Sequence, residues 1–412
     1  MNIKLQYLAL SVAAVLIIGF PAENISAAPV LLADVFYTNV VVAEIPWSIQ
    51  LVTIPRNNRL FEIQSFHATG RAVGLDTLSD QVAAAATETW VPVAAINGGF
   101  FLRDYSQTNA YAGSSRGLQI VNGEVFSAPD GDATLWLDYS GQPHAANVAS
   151  HFEITWPDGH STPFALNGPR TNNEVELYTA TAGSSTHTSG GRELVLESPA
   201  GGPWLPLRMD REYSARVREI QPNGDNHLFP DTMILSIPSG MTAQFQTVST
   251  GAVLRISTRS LPALFTAKTA LSGGPVLVHN GSPQRIRAAP DAPYEFSSML
   301  ERHPRTAFGW NDTAFFLVQV DGRQKDLSLG MTLAELSDYL VKLGCTDAVN
   351  LDGGGSSCLW FDGKVRNSPC DGYERGIANS LLVLRKHLTT SESPAGLTHA
   401  DALRERNTQN GL

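Results

Sequence analysis

The sequence has few charged residues and no basic excess, and these shortages exclude one broad class of function. Only 17% of its 412 residues are charged, against about 25% in an average soluble domain. Acidic residues outnumber basic ones, which gives a formal net charge of −10. Nucleic-acid-binding proteins carry clustered basic residues, so we set this class aside. With 43% hydrophobic residues, the chain has ample material for a folded core.

Cysteine is also scarce, and the usual metal and cofactor motifs are missing. The three cysteines show neither a C-x-x-C motif nor a zinc-type spacing with histidine. H-E-x-x-H, P-loop and complete nucleophile-elbow motifs are absent as well, so no metal or cofactor is predicted. Cys358 and Cys370 flank a predicted hairpin with its turn at 362–363, which makes them the best candidates for a disulfide. Cys345 is then a buried free thiol.

Long apolar runs are missing except at the N-terminus. Residues 5–20 are apolar, follow Lys4 and precede Pro21 and a small-residue segment at 25–28. This pattern predicts a signal peptide over 1–27 and an exported protein, periplasmic or secreted. The run of about 16 residues is shorter than the roughly 20 that span a bilayer, and an uncleaved anchor is the alternative. We expect no stable membrane insertion after cleavage.

The composition favours many short strands. With 35 glycines and 24 prolines, the chain is rich in turn residues. We predict an α+β fold with a β-rich mixed sheet core and a few flanking helices. Alternation over 47–66 predicts two paired strands, and the alanine-rich segment 78–89 predicts a helix. A second helix is predicted over 332–343, where Thr332 and Glu335 form a capping box.

The chain is predicted to have one main domain with short flanking regions. After the signal peptide, residues 28–90 form an N-terminal strand-helix region packed on the main domain. The main domain covers 91–388. Residues 389–412 form a polar tail, which we expect to be poorly ordered.

Two glycine-rich turns follow predicted strands, at 97–99 and 352–357. Consecutive glycines permit positive φ angles, and they let a ligand approach main-chain N–H groups that bind anions. The pattern therefore indicates a pocket that accepts an anionic group. The alternative is a pair of tight turns in which Asn97 and Asp352 bond their own backbone.

Arginines introduce two further polar segments, 305–309 and 375–380, each before a predicted strand. The planar guanidinium group binds phosphate or carboxylate through two parallel hydrogen bonds. The alternative for each arginine is a solvated or salt-bridged residue at a strand end.

These segments belong to a set of five motifs that occur in the same order in the phosphodiester glycosidase family. The chain resembles this family from about residue 97 to residue 384. Each motif is short, and the resemblance depends on all five occurring in order. The motifs are residues 94–101, 273–278, 305–309, 350–357 and 375–382.

The resemblance implies a glycosidase that cleaves the bond between a sugar anomeric carbon and a phosphodiester. Asp352, Arg305 and Asn97 are then the catalytic residues. Arg305 and Arg375 hold the phosphate with glycine amides, Asp352 acts on the sugar as nucleophile, base or charge stabiliser, and the asparagines orient sugar hydroxyls or water. The expected substrate-binding residues are Gly98, Gly99, Thr306, Gly353, Gly354, Gly355, Ser356, Arg375 and Asn379.

Two other functions fit the same residues. One is a non-catalytic protein that binds cell-wall or other anionic glycans, and the other is hydrolysis of a different phosphodiester. In each case the partner is a small molecule or glycan, and a sugar-1-phosphate linkage is expected for the glycosidase. Trp310, Trp360 and Tyr373 are candidate exposed aromatics for stacking on a sugar ring.

Overall fold

A computed structural model of the chain describes residues 24–25, 30–32, 35–105, 109–245, 247–286 and 296–387. Apart from the two-residue strand at Asn24–Ile25, the predicted signal peptide lies outside these residues, as does the predicted tail 389–412. No helix within the described ranges is long and apolar enough to cross a membrane.

Strands dominate this structure, which confirms the predicted β-rich α+β class. The helices in the described ranges are α1 (Leu78–Ala85), α2 (Phe296–Leu300) and α3 (Leu333–Lys342), with short 3-10 turns elsewhere. The strands are β1 (Asn24–Ile25), β2 (Val30–Leu32), β3 (Val35–Val42), β4 (Trp47–Pro55), β5 (Phe61–His67), β6 (Trp90–Asn97), β7 (Gln119–Val121), β8 (Glu124–Ser127), β9 (Ala133–Asp138), β10 (Pro143–Asn147), β11 (Ala149–Thr155), β12 (Ser161–Leu166), β13 (Val175–Tyr178), β14 (Arg192–Glu197), β15 (Glu212–Gln221), β16 (Met233–Ile237), β17 (Val253–Leu261), β18 (Ala267–Ser272), β19 (Val276–His279), β20 (Ser282–Pro283), β21 (Arg305–Trp310), β22 (Ala314–Val320), β23 (Asp347–Asn350), β24 (Leu359–Phe361), β25 (Lys364–Val365) and β26 (Asn379–Lys386).

Two sheets pack face to face to form the centre of the molecule. The larger has the order β1-β3-β4-β22-β21-β23-β19-β20, with β2 also pairing β3, and the smaller has the order β25-β24-β6-β26-β5. Apolar side chains from both fill the space between them, among them Phe308 and Leu317 from the larger sheet and Ile96 and Val383 from the smaller. Burial of these side chains is the main force that holds the sheets together.

Helices cover the outer faces of this sandwich. The apolar face of α3, which begins with the predicted capping box of Thr332 and Glu335, packs on the larger sheet. Leu78 of α1 packs on the smaller sheet in one cluster with Ala95. Successive strand residues point to opposite faces, so Ala95 meets α1 while the next residue, Ile96, enters the central core.

A closed barrel of β11, β12, β13, β16, β14, β15 and β17 lies between β10 and β18 in the chain. It is joined to the sandwich by a third sheet, β10-β9-β18-β7-β8. Trp136 of β9 packs in the barrel core, whereas Leu135 and Leu137 pack in the sandwich core. The barrel falls inside the predicted domain 91–388, and no motif marks it in the sequence.

The predicted pairing of two strands over 47–66 is wrong, although both strands exist. β4 pairs with β3 and β22 in the larger sheet, whereas β5 pairs with β26 in the smaller. Ile54 and Ile63 instead meet across the central core. Alternation identifies the strands because it reflects a half-buried surface, but it carries no information about which neighbour supplies the hydrogen bonds.

Candidate active site

The sequence motifs converge at one end of the sandwich. β6 ends at Asn97 and β23 at Asn350, while β21 begins at Arg305 and β26 at Asn379. β6 is antiparallel to β26, and β23 is antiparallel to β21, so these four strand ends lie at the same edge. The Gly274 amide also donates to the Asn350 carbonyl, which brings the motif at 273–278 to this edge.

Asp352 follows β23 and lines a cleft at this edge. Its carboxylate accepts hydrogen bonds from the Gly353 amide, over 2.8 Å, and from the Ser356 hydroxyl. Burial raises the pKa of Asp352 to about 6, although these bonds and the charges of Arg375 and Arg103 oppose the rise. A carboxylate with this pKa is mostly ionised at pH 7 and more basic than an ordinary aspartate, as a base or nucleophile requires.

Asn97 lies behind the cleft, where it joins the two sheets. Its side-chain oxygen accepts hydrogen bonds from the Thr306 hydroxyl at 2.7 Å and from the Cys358 amide at 3.0 Å. Its side-chain amide donates to the Asp352 carbonyl at 2.7 Å. Both ends of this buried side chain are therefore used within the protein, and neither Asn97 nor Thr306 lines the cleft. The sequence predicts contact between Asn97 and substrate, whereas in the structure its side chain bonds Thr306, Cys358 and Asp352 behind the cleft.

Asn379 plays a similar role beside the first glycine turn. Its side-chain oxygen accepts from the Gly99 amide at 2.7 Å, and its side-chain amide donates to the Ser115 hydroxyl at 2.9 Å. The Gly98 amide donates to the main-chain carbonyl of Asn379. These two glycine amides are thus already bonded within the protein, whereas the sequence predicts that Gly98 and Gly99 bind the substrate. A side chain at Gly98 would collide with Asn379, which explains the glycine.

In the second glycine turn, two of the three glycine amides that the sequence predicts for anion binding already have partners within the protein. The Gly353 amide bonds Asp352, and the Gly354 amide donates to the Pro304 carbonyl. A side chain at Gly355 would collide with the guanidinium of Arg375, and one at Gly354, where φ is +61°, would lie 3.3 Å from that of Arg323. The glycines therefore allow two arginine side chains to lie against the turn that follows Asp352.

Arg305 precedes β22, as predicted, but it also begins β21, a strand that the sequence analysis did not predict, and its side chain is buried. Its guanidinium donates to the Met331 and Glu301 carbonyls, each at 2.8 Å, and to the Ser298 carbonyl. Burial lowers the pKa of Arg305 to about 10, with a further contribution from Arg323. Although Arg305 lines the cleft, most of its donors are committed to the backbone.

Arg375 is held by a carboxylate. Its Nε and Nη2 atoms donate to one oxygen of Asp371, at 3.0 and 2.6 Å. Its side chain lines the cleft beside Gly355, and its charge acts on Asp352. The ion pair fixes the guanidinium while leaving Nη1 without a bond to Asp371, so Arg375 retains the capacity to contact an anion.

The cleft has a volume of about 400 Å³ and contains residues that the sequence analysis did not identify. They come from both walls and include three further arginines. Arg103 follows the motif at 94–101 closely, and His303 precedes Arg305 by two residues, but no pattern marks the others. The additional polar residues are Arg103, Arg116, Asp130, Asp132, His303 and Arg323.

His303 lies beside Arg323 and Glu301. Burial and the positive charges of Arg323 and Arg305 lower its pKa, against the opposing effect of Glu301. Its Nδ1 accepts a hydrogen bond from Arg323 Nε at 3.3 Å, and its Nε2 lies 3.3 Å from a Glu301 oxygen. Within the described ranges, no group of three His, Cys, Asp or Glu side chains is arranged to hold a metal ion.

The predicted aromatic residues are not at the cleft. Trp310 is buried in the central core, so its predicted exposure is wrong. Trp360 packs against the α1 cluster, and Tyr373 is exposed but does not line the cleft. Tyr105, which is 53% exposed, lies close enough to Arg375 and Asp352 to feel their charges.

The predicted disulfide is wrong, because Cys358 and Cys370 are both free thiols. Cys358 is buried in the cluster beneath α1, whereas the sulfur of Cys370 lies 3.6 Å from Asp371 in the loop before Arg375. The hairpin between them exists, with positive φ at Asp362 and Gly363, but it does not direct the two side chains towards each other. Cys345 is buried and free, as predicted.

Comparison with known protein families tests the predicted resemblance. Residues 219–384 match the phosphodiester glycosidase family. This match confirms the resemblance over the part of the chain that holds Arg305, Asp352 and Arg375. Asn97 lies outside it. In the structure, residues 219–384 run from the end of β15 into β26, and they include β21 and β23, whose ends carry Arg305 and Asn350.

Three similar proteins extend the comparison. The SPbeta prophage-derived uncharacterized protein YomE of Bacillus subtilis strain 168 is 30% identical over 118 residues, which are 28% of this chain and 17% of YomE. A hypothetical protein from Synechocystis has 20% identity and a TM-score of 0.66, over 85% of this chain and 62% of that one. A Burkholderia pseudomallei K96243 protein, provisionally named as exported, has 21% identity and a TM-score of 0.64, over 84% and 74%.

These likenesses support the fold described above. At about one-fifth identity, the two solved structures share the architecture, and a shared fold does not by itself transfer an activity. The chain covers less than two thirds of YomE and of the Synechocystis protein.

Proposed function

We propose that this protein is an exported hydrolase that cleaves the bond between a sugar anomeric carbon and a phosphodiester. One observation carries the proposal: in the family-matched region, the carboxyl group of Asp352 lies in a cleft between arginines, with its pKa raised to about 6. A carboxylate for the sugar and guanidinium groups for the phosphate are the two parts that this reaction requires.

The chemistry of the substrate explains why one carboxylate suffices for bond cleavage. When the bond from the anomeric carbon to oxygen breaks, the oxygen leaves with its electrons as a phosphate monoester anion. This is a good leaving group and needs little protonation. Positive charge develops on the anomeric carbon, where ionised Asp352 either stabilises it or forms a transient bond. Water then supplies the new hydroxyl group and gives its other proton to the phosphate monoester or to solvent, so the products are a free sugar and a phosphate monoester.

The cleft residues that would hold the phosphate carry positive charge. Arg375 is fixed by Asp371 beside Gly355, and its charge and that of Arg103 act on Asp352. A guanidinium beside the leaving oxygens lowers the energy of the separated charges in the transition state. Asn97 would act indirectly, since it holds the Asp352 main chain without reaching the cleft.

A protein that only binds an anionic glycan could use Asp352 to accept hydrogen bonds from sugar hydroxyls, but the negative charge would oppose binding of the anionic group. An ionised carboxylate repels an anionic ligand, and its burial costs folding free energy, as the raised pKa indicates. Such a group is retained where it stabilises a transition state more than a ground state. This argument favours catalysis over the binding-only alternative.

The test uses the chain without residues 1–27 and a panel of methyl sugar-1-phosphodiesters in both anomeric forms. We expect free reducing sugar and methyl phosphate from at least one compound, and at least a 100-fold lower rate for Asp352→Asn. Binding without sugar release would identify a glycan-binding protein instead. Release of sugar 1-phosphate and methanol would identify a different phosphodiesterase.

Export is part of this proposal. The apolar run at residues 5–20 supports it, as does the provisional naming of the Burkholderia protein as exported. N-terminal sequencing of the protein recovered from the periplasm or the medium would identify the cleavage site.

A further inference from the structure

Five arginines line the cleft, but they are not equally available to a ligand. Arg305 has most of its donors on main-chain carbonyls, and Arg375 is paired with Asp371. Arg323 is exposed, and it forms no ion pair with any residue that the structure describes. Its guanidinium can therefore accept an anionic partner without breaking an existing ion pair.

The backbone of Arg323 has an unusual conformation. Its φ angle is +59°, in the left-handed region that residues other than glycine, asparagine and aspartate seldom occupy. The loop is held there by its neighbours, because a side chain at Gly322 or Gly330 would collide with the main chain of His303. Backbone strain of this kind persists where the surrounding structure imposes it, and it is concentrated at functional sites.

This conformation places the guanidinium against the turn that follows Asp352. A Cβ at Gly354 would lie 3.3 Å from both Nη1 and Nη2 of Arg323, so both terminal nitrogens face this turn. Nε is engaged separately, since it donates to Nδ1 of His303, and the neutral Cys370 thiol is another neighbour. The pair of terminal nitrogens is the fork that grips two oxygens of one phosphate.

We infer that Arg323 binds the phosphate of the substrate, on the Gly354 side of Asp352, in the role that the sequence motifs suggested for Arg305. The inference rests on the proposed function for the identity of the ligand, a phosphodiester monoanion. Arg323 and Arg375 would then hold the phosphate from two adjacent positions of the glycine turn, Gly354 and Gly355. Arg305 would support the wall of the cleft.

The experiment separates this inference from the proposed function by measuring binding as well as hydrolysis. Inorganic phosphate is titrated into the chain without residues 1–27, at constant low salt, and its dissociation constant is obtained by calorimetry. The variants are Arg323→Gln, which removes the charge, and Arg323→Lys, which keeps the charge but loses the fork. Arg218→Gln, an exposed arginine on barrel strand β15, is the matched control.

We expect Arg323→Gln to weaken phosphate binding at least tenfold and Arg323→Lys to weaken it several-fold. Arg218→Gln should bind as the wild type does. All variants should melt within about 2 °C of the wild type, because Arg323 makes no buried ion pair. If Arg323→Gln does not fold, the same comparison is made with Arg323→Lys.

Unchanged phosphate binding in the folded Arg323 variants would overturn the inference, whatever their activity. So would a wild-type protein that binds no phosphate. If phosphate binding depends on Arg323 but no sugar-1-phosphodiester is cleaved, the anion site stands and the proposed glycosidase function fails. If cleavage occurs at wild-type efficiency in Arg323→Gln, the function stands and the role of Arg323 fails.

Discussion

The side-chain amide of Asn97, at the end of β6 in the smaller sheet, donates a 2.7 Å hydrogen bond to the main-chain carbonyl of Asp352, in the turn that follows β23 of the larger sheet. The Asp352 amide in turn donates to the Gly98 carbonyl at 3.0 Å. These two bonds hold the main chain of Asp352 and leave its carboxylate to face the cleft. An interior asparagine that does not line the cleft thus fixes the main chain of the candidate catalytic residue.

Replacing Asn97 with alanine should therefore reduce both stability and activity. The change leaves the Asp352 carbonyl and the Cys358 amide without a partner and leaves the Thr306 hydroxyl with Ser357 alone, which costs about 3 kcal/mol of unfolding free energy. We expect kcat to fall more than KM rises. Denaturant unfolding and steady-state kinetics check this, with Asn147→Ala, an exposed asparagine bonded to the Gly131 carbonyl, as the control.

Asp352→Asn, in contrast, should reduce activity without reducing stability. Burial raises the pKa of Asp352 to about 6, above its unfolded value of 3.8, so the folded protein becomes less stable as pH rises between these values. At pH 8 the neutral variant should melt no lower than the wild type, while hydrolysis falls at least about 100-fold. Asp362→Asn, at an exposed turn with positive φ, should change neither property. A clear loss of stability with nearly normal turnover would show that Asp352 only caps the turn.

The same carboxyl group should appear in the pH dependence of the reaction. A nucleophile, base or charge stabiliser must be ionised, so kcat/KM should fall as pH decreases through about 6. A phosphodiester stays monoanionic over this range. The fall in kcat/KM must therefore come from a group on the enzyme. Measurement of kcat/KM from pH 4.5 to pH 8 tests this expectation. An activity that is constant down to pH 4.5 would remove Asp352 from the mechanism.

Arg305→Lys should act chiefly on folding. An ammonium group cannot reach the three carbonyls of Ser298, Glu301 and Met331 that the guanidinium bonds together. We expect a loss of about 3 kcal/mol in unfolding free energy, since buried acceptors lose their donors. Urea denaturation of Arg305→Lys beside Arg218→Lys tests this. Unchanged stability with a large loss of phosphate binding would show that Arg305 binds the phosphate, as its motif suggested.

Because of Glu176, the stability of the protein should fall as pH rises from about 4.5 to about 8. This carboxyl in β13 is buried with the Gly168 amide as a hydrogen-bond donor at 2.6 Å, and burial raises its pKa to about 8 from 4.5. Its contribution to stability is complete below pH 4.5 and declines as pH rises to about 8. Glu176→Gln should be more stable than the wild type at pH 9, by several kcal/mol, and much closer to it at pH 5. Equal stability of the two proteins at pH 9 would contradict the burial argument.

A local sequence pattern predicted the start of one helix accurately. The capping box of Thr332 and Glu335 begins α3, because it depends on neighbouring residues alone. The helix predicted over 78–89 ends earlier, at Ala85, where extended residues lead into β6. Helix ends depend on what the chain packs against next, and alanine content does not record that.

The five motifs were sufficient to place Asp352, Arg305 and Arg375 at one cleft, because their order and composition carried the family resemblance. They could not show which atoms face the ligand. The polar ends of Asn97 and Asn379 and the amides of Gly98 and Gly99 are consumed by bonds across strands that lie hundreds of positions apart in the chain. The sequence analysis did not identify Arg323 as a site residue. Its position depends on contacts with His303 and Gly354, which exist only in the folded chain. Residue types and their order, which the sequence alone determines, established the chemistry available to this protein. The tertiary structure decided how that chemistry is distributed, since a polar group can serve a ligand only when folding has left it without an internal partner.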